Sequence, residues 1–244
     1  MSAIRKVITI DGPSGSGKST LSKMLAEKLG YKQLNTGSIY RAVAYLCLTS
    51  GVDCNDESAV LAILSKAKIE LKSSPLGESE ILLNDKVLKD EIRTPKVSEG
   101  TSIVSSHPKV REALVDVQRN AYPGSNLVAE GRDMGTVIFK DADLKFFVTV
   151  DEETRIKRRI EQLEAARRKE GGSSIKPLSQ DELNLLKEQM KIEITERDKR
   201  DSERRVAPLK AASDAIMIDN SSETLTETLD NMYSYATKRG LHLG

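Results

Sequence analysis

The sequence predicts an α/β fold: a five-stranded parallel sheet flanked by helices, with a small insert lobe and a helical lid. Three observations carry this. Short apolar runs alternate with helical segments along the chain, the pattern of a parallel sheet with helices on both faces. The octapeptide Gly-Pro-Ser-Gly-Ser-Gly-Lys-Ser at 12–19 sits between the first apolar run and the first helical one. Two stretches, 51–100 and 151–205, interrupt the alternation.

The first strand is Val7–Asp11, and the octapeptide after it is G-x-x-x-x-G-K-[ST] in full. Thr20–Ala26 then opens a helix. This is the context a phosphate-binding loop (P-loop) needs: the backbone turns tightly, its N–H groups face phosphate oxygens, and the helix N-terminus adds positive charge. Gly12, Pro13, Ser14, Gly15, Ser16, Gly17, Lys18, Ser19 and Thr20 are therefore the expected nucleotide cradle. Lys18 reaches the outer phosphates and the Ser19 hydroxyl holds Mg2+.

Tyr31–Leu34 reads as the second strand, and Asn35–Arg41, rich in hydroxyls, opens the next helix. In the first interruption, Glu80–Leu83, an Asn84-Asp85 turn and Lys86–Leu88 predict a hairpin. A helix begins at Pro108 with Val110, Leu114 and Val117 as its apolar stripe; Arg111 projects from the flank, toward ligand or solvent. Leu127–Glu130 is the third strand and Lys145–Val150 the fourth. The charged interruption carries a helix from about Asp151 to Glu170, a break at Gly171-Gly172-Ser173-Ser174, and a second helix capped by Ser179 with Glu182. Ala215–Asp219 is the fifth strand, and a helix from about Ser222 to Arg239 closes the chain against Gly240.

Bulk composition excludes several function classes. Charged residues make up 31% of the 244 residues, yet the formal net charge is +1, without the basic excess of a nucleic-acid binder. Aromatics are 4% and there is no Trp, leaving little to stack bases on. No apolar stretch approaches a membrane span, and Met1–Lys6 lacks the apolar segment of a signal peptide. Cys47 and Cys54 form neither a zinc pattern nor a disulfide framework; two reduced thiols fit a cytoplasmic protein. The balanced charge is compatible with the monomer we expect. With His107 and His242 the only histidines, the chemistry falls to Arg, Lys and Asp.

In the helix after Ser179, an apolar stripe of Leu183, Leu186, Met190 and Ile194 continues at the same spacing as Arg197, Asp201 and Arg204. It reads either as an arginine-lined phosphate or ribose site or as a salt-bridge ladder on a solvated face. Arg155, Lys157, Arg158 and Arg159 crowd the preceding helix, either to close over transferring phosphate or as solvated basic surface. Gly131 and Gly135 bracket Arg132 and Asp133. Phe146–Asp151 resembles a strand ending in a metal-binding acid, which favours a hydrolytic switch, but Asn-Lys-x-Asp and Asp-x-x-Gly are both absent.

Together these stretches resemble the bacterial cytidylate kinases. The matching pieces are Ile10–Lys18, Thr36–Arg41, Glu91–Thr94, Gly131–Thr136, Arg197–Asp201, Ala207–Leu209 and Asp214-Ala215, in family order. The resemblance implies ATP-dependent phosphorylation of CMP and dCMP by a core, a monophosphate-binding lobe and a lid. It places Thr36, Arg41 and Arg132 at the CMP phosphate, with Arg204 joining on closure. Ser102, Arg111 and Asp133 read the cytosine edge; Arg197 and Asp201 hold the ribose. Lys18, Arg132, Arg158, Arg197 and Arg204 form the expected catalytic set. The implied division is core over 1–37, 106–150 and 206–244, monophosphate lobe over 38–105 and lid over 151–205. Two departures stand out: Asn35 replaces the usual Asp, and the lid is longer around Gly171–Leu178.

Overall fold

The computed structural model describes residues 5–73, 79–171 and 178–242; most of the longer lid tip and residues 1–4 of the N-terminus lie outside them. Eight strands occur among the described residues: β1 (Val7–Asp11), β2 (Lys32–Asn35), β3 (Ile69–Ser73), β4 (Ser79–Leu83), β5 (Lys86–Leu88), β6 (Leu127–Gly131), β7 (Leu144–Thr149) and β8 (Ile216–Asp219). The helices are α1 (Lys18–Leu29), α2 (Thr36–Thr49), α3 (Glu57–Leu64), α4 (Pro95–Val104), α5 (Pro108–Ala113), α6 (Val115–Arg119), α7 (Glu152–Gly171), α8 (Gln180–Glu203) and α9 (Leu225–Lys238).

Five strands form one sheet in the order β2-β6-β1-β7-β8, every neighbouring pair parallel. The expected strands all lie in it, shifted by at most a residue at either end. Alternation along the strands splits the apolar side chains between two cores. Ile8, Ile10, Val128, Phe146 and Val148 pack with Leu21, Leu25 and Leu29 of α1 and Met232 and Ala236 of α9. On the other face, Leu34, Leu127 and Ala129 pack with Ile39 and Val43 of α2 and Val97 and Val104 of α4.

The expected hairpin is part of a three-stranded antiparallel sheet, β3-β4-β5. Asn84 and Asp85 turn it with φ of 50° and 64°, the doubly left-handed turn that a two-residue hairpin loop requires. The extra strand β3 has the alternation Ile69-Glu70-Leu71-Lys72, whose charged positions disguise it. Ile69, Ile81 and Leu83 join the α2/α4 core, so the insert is welded to the body by apolar packing.

One helix departs from expectation. The segment from Pro108 is not a single helix but α5 and α6, with the break at Leu114, which is fully buried. Arg111, which lies in α5 before the break, faces inward. It is 5% exposed; of the two directions the sequence leaves open, ligand or solvent, the structure excludes solvent.

Candidate active site

The site lies along the C-terminal ends of β1, β2, β6, β7 and β8, where parallel sheets place their ligands. The P-loop leaves β1 so close to β7 that a Cβ on Gly12, whose φ is +150°, would sit 2.2 Å from the Val148 carbonyl oxygen. Gly17 caps α1 at φ 86°. Lys18 is buried and folds back on the loop, donating from Nζ to the Pro13 carbonyl at 2.5 Å and to Ser16 Oγ at 3.2 Å. Burial, then the nearby Arg132 charge, lowers its pKa to about 7.

Ser19 Oγ donates to Glu130 Oε1 at 2.6 Å, and Asn35 Nδ2 lies 3.5 Å from the same hydroxyl. Glu130, at the end of β6, is therefore the acid beside the expected metal ligand. Asp151, the acid on which the hydrolytic-switch reading rests, is engaged otherwise. That side chain is exposed and caps α7, accepting from Thr154 N at 2.8 Å and Thr154 Oγ1 at 2.7 Å, so the hydrolytic-switch argument loses its acid. Asn35 caps α2, accepting from Ser38 N at 3.1 Å. A hydroxyl and a carboxylate suit Mg2+, which keeps most of its waters and takes few protein ligands. Among the described residues no cluster of three or more His, Cys, Asp or Glu could hold a metal alone.

The residues expected to read the acceptor form one chain of alternating charge from the sheet to the C-terminal end of α8. Arg111 Nη2 donates to Asp133 Oδ2 at 2.5 Å. Arg204 Nη2 is 4.0 Å from Asp133 Oδ1, and Arg204 Nη1 is 3.7 Å from Asp201 Oδ1. Asp201 Oδ2 accepts from Arg132 Nε at 2.8 Å. The stripe on α8 is thus a buried face rather than a solvated ladder: Met190, Ile194 and Asp201 are buried along it. Burial pushes the Asp201 carboxyl up, but Arg132, Arg197 and Arg204 hold it below its ordinary value. Arg197 is pushed down to about 10 by burial and the Arg132 charge.

Tyr40 backs this chain, its ring centroid 5.6 Å from the Arg111 guanidinium. Arg111 Nη1 also donates to the Ser105 carbonyl at 3.0 Å. Arg41 is fixed from two sides, donating to the Ile92 carbonyl at 3.1 Å and Ser98 Oγ at 3.0 Å. Thr36 Oγ1 donates to the Glu130 carbonyl at 2.8 Å, so its proton is committed to β6. Asp11, which the sequence reading passed over, holds the loop after β6: its carboxylate accepts from Met134 N at 2.9 Å and Gly135 N at 2.8 Å.

The arginines of α7 divide. Arg155 pairs with Asp198 of α8, and its Nη1 lies 3.5 Å from the Ser14 carbonyl. Arg158 Nη2 donates to the Asn220 carbonyl at 2.9 Å. Arg159 Nη2 is 3.4 Å from Glu193, and Lys157 is exposed. Several buried polar atoms of this neighbourhood have no hydrogen-bond partner, mostly donors: Ser102 Oγ, Arg111 Nε, Arg155 Nε, Arg158 Nη1 and Arg204 Nη2, with Asp198 Oδ1 the acceptor among them. Buried donors left unmade cost roughly 1–3 kcal/mol each, so their gathering here fits a polar, anionic ligand.

Glu130 and Asp11 carried one legible signal, an acid at the C-terminal end of a central strand. Asn220 carried none beyond its place after the fifth strand, because the P-loop residue it bonds, Ser16, is 204 residues away.

A family model described as Cytidylate kinase matches residues 8–238. The chain is 41% identical over 242 residues to the cytidylate kinase of Azotobacter vinelandii, covering 99% of each. It is 42% identical to that of Pasteurella multocida, covering 94% of each. It is also 41% identical to a bifunctional pantoate ligase/cytidylate kinase of Prochlorococcus marinus, covering 93% of this chain but 42% of that longer protein.

Proposed function

The chain belongs to the cytidylate kinase family, and we propose from that premise that it transfers the γ-phosphoryl group of ATP to CMP and dCMP, giving CDP and dCDP. The observation that carries the acceptor assignment is the buried Arg111–Asp133 pair at 2.5 Å. It sets a donor beside an acceptor. Cytosine presents the complement, an exocyclic amine that donates beside N3 and O2 that accept. Uracil presents a carbonyl and an N3–H, and would leave both buried groups mispaired. Ser102 Oγ, buried and unpartnered, is a further acceptor for the amine.

Arg41 and Arg132 receive the CMP phosphate beside Thr36, and Arg197 and Asp201 take the ribose. The P-loop amides cradle the ATP phosphates, and Lys18 turns from the Pro13 carbonyl toward them. Mg2+ would be held by Ser19 with Glu130 behind it, and supplies neutralisation of charge on the phosphate oxygens. A CMP phosphate oxygen attacks the γ-phosphorus in line and ADP leaves. The nucleophile is already ionised, so no general base is required; positioning and charge stabilisation by Lys18, Arg132, Arg158, Arg197 and Arg204 do the catalysis. Residues 151–205 act as the lid and 38–105 as the monophosphate lobe.

We take the acting species as a monomer in the cytoplasm working on free nucleotides, not nucleic acid. No helix among the described residues is long and apolar enough to cross a membrane. The test is the initial rate of ADP formation from ATP and Mg2+ with CMP, dCMP, UMP, AMP, GMP or no acceptor. Turnover led by CMP and dCMP supports the reading. Turnover led by another acceptor discards the base assignment, and equal turnover without acceptor discards the kinase.

A further inference from the structure

We infer that Asn220, at the end of β8, is a positioning residue that holds the phosphate loop in its anion-receiving form. The inference rests on the kinase reading above only for which substrate half it affects. A P-loop binds phosphate because its N–H groups converge, which obliges its carbonyls to point outward and find donors elsewhere. Three outward carbonyls are taken by side chains. The Pro13 carbonyl accepts from Lys18 Nζ at 2.5 Å, Ser14 lies 3.5 Å from Arg155 Nη1, and Ser16 accepts from Asn220 Nδ2 at 2.9 Å.

These donors differ in permanence. Lys18 must leave Pro13 to reach the nucleotide. Arg155 belongs to α7, and the nitrogen nearest Ser14 is shared with Asp198 of α8. Asn220 stays with the sheet and is fully buried. Its backbone N–H donates to the Thr149 carbonyl at 2.9 Å, and its Oδ1 accepts from Thr228 Oγ1 of α9 at 3.2 Å. A carbonyl can only accept, so the Ser16 bond fixes which end of the amide is the donor.

The same residue anchors a lid arginine. The Asn220 carbonyl receives Arg158 Nη2 at 2.9 Å, leaving Nη1 buried and unpartnered. A Cβ on Gly17 would lie 2.8 Å from Asn220 Nδ2 and 3.6 Å from Arg158 Nη1, so both groups lie against the turn that opens α1 and only Asn220 leaves no room for a side chain there. Asn220 thereby ties the Ser16–Gly17 turn, the free donor of Arg158, β7 and α9 into one arrangement. A purely structural asparagine would affect both substrates through general loosening; this one acts on the ATP half alone.

The experiment is calorimetric titration of Mg2+-ATP, without acceptor, into wild type and the Asn220→Asp, Asn220→Leu and Thr228→Val variants, followed by separate KM values for ATP and CMP. Asn220→Asp keeps the shape, loses the donor and adds a negative charge beside the loop. A neutral amide–carbonyl hydrogen bond replaced by carboxylate–carbonyl repulsion is expected to weaken ATP binding by about tenfold or more, with the CMP KM within about twofold. Asn220→Leu should fall in the same direction. Thr228→Val removes the bond that braces the amide, along with the 3.2 Å contact of the same hydroxyl with Glu223 Oε2, and should weaken ATP binding about two- to fivefold; it serves if the Asn220 variants do not fold. ATP affinity in the folded variants within about twofold of wild type, or equal loss toward ATP and CMP, overturns the inference. Failure of wild type to phosphorylate CMP would sink the functional reading, yet the ATP titration would still decide the role of Asn220.

Discussion

Arg132 Nε donates to Asp201 Oδ2 over 2.8 Å, and this bond joins the C-terminal edge of the sheet to the lid helix α8. Both residues are expected to face the acceptor, and without one they face each other. The carboxylate of Asp201 thus occupies the guanidinium that the proposed function assigns to the CMP phosphate. Arg204, 3.7 Å from Asp201 and 4.0 Å from Asp133, offers it a second partner when that exchange occurs.

Asp201→Asn keeps the shape of the contact but removes the charge that balances Arg132, Arg197 and Arg204. A hydrogen bond to a charged group is worth roughly 1.5–3 kcal/mol, so kcat/KM for CMP should fall about ten- to a hundredfold. The ATP KM should move little. Steady-state kinetics with each substrate varied in turn checks both.

Asp133→Ala leaves Arg111, whose side chain is 6% exposed, without its counter-charge. Removing one member of a buried pair costs roughly 3–5 kcal/mol, to be read by chemical denaturation. The double change Arg111→Met with Asp133→Leu should recover most of that stability and still abolish CMP turnover. Stability and specificity would then separate in one pair.

Burial raises the Asp11 carboxyl from 3.8 to about 6, against the pull of the Gly135 and Met134 amides. Between those values the folded chain binds more protons than the unfolded one, so this group's contribution to stability falls as pH rises from 3.8 to about 6. Asp11→Asn cannot titrate and sets an NH2 against one of the two loop amides. The stability of wild type relative to the variant should shrink across that window and stay flat above it. Paired denaturation curves at several pH values measure the difference.

Glu130→Gln retains a partner for Ser19 but loses the negative charge beside it. We expect the Mg2+ concentration for half-maximal rate to rise about tenfold, while saturating Mg2+ restores most of the turnover. A titration of rate against Mg2+ at fixed ATP is sufficient.

Much of this was legible in the residues. The P-loop announced itself by spacing, the five core strands by apolar runs, and the lid stripe by the unbroken period from Leu183 to Arg204. The resemblance to cytidylate kinases, drawn from dispersed short motifs, agrees with the family match over 8–238. Local pattern failed where tertiary contact decides. The stripe Val110-Leu114-Val117 suits one helix, but the buried Leu114 breaks it, and Arg111 turns inward to meet Asp133, 22 residues away. Asp151 looked like a metal acid by its strand end, yet β7 delivers it to a helix cap. Glu130 takes that place because β6 lies directly beside β1 in the sheet. Strand order of this kind is not written in local sequence.

The most direct measurement is kcat/KM for CMP against UMP, with ATP and Mg2+ saturating, in wild type and in Asp133→Asn. If Arg111 and Asp133 read the cytosine edge, wild type should prefer CMP by a hundredfold or more, of the order that mispairing buried polar groups costs, and Asp133→Asn should narrow that preference to about tenfold or less. Equal efficiency toward CMP and UMP in wild type, or a preference unchanged by Asp133→Asn, would contradict the account.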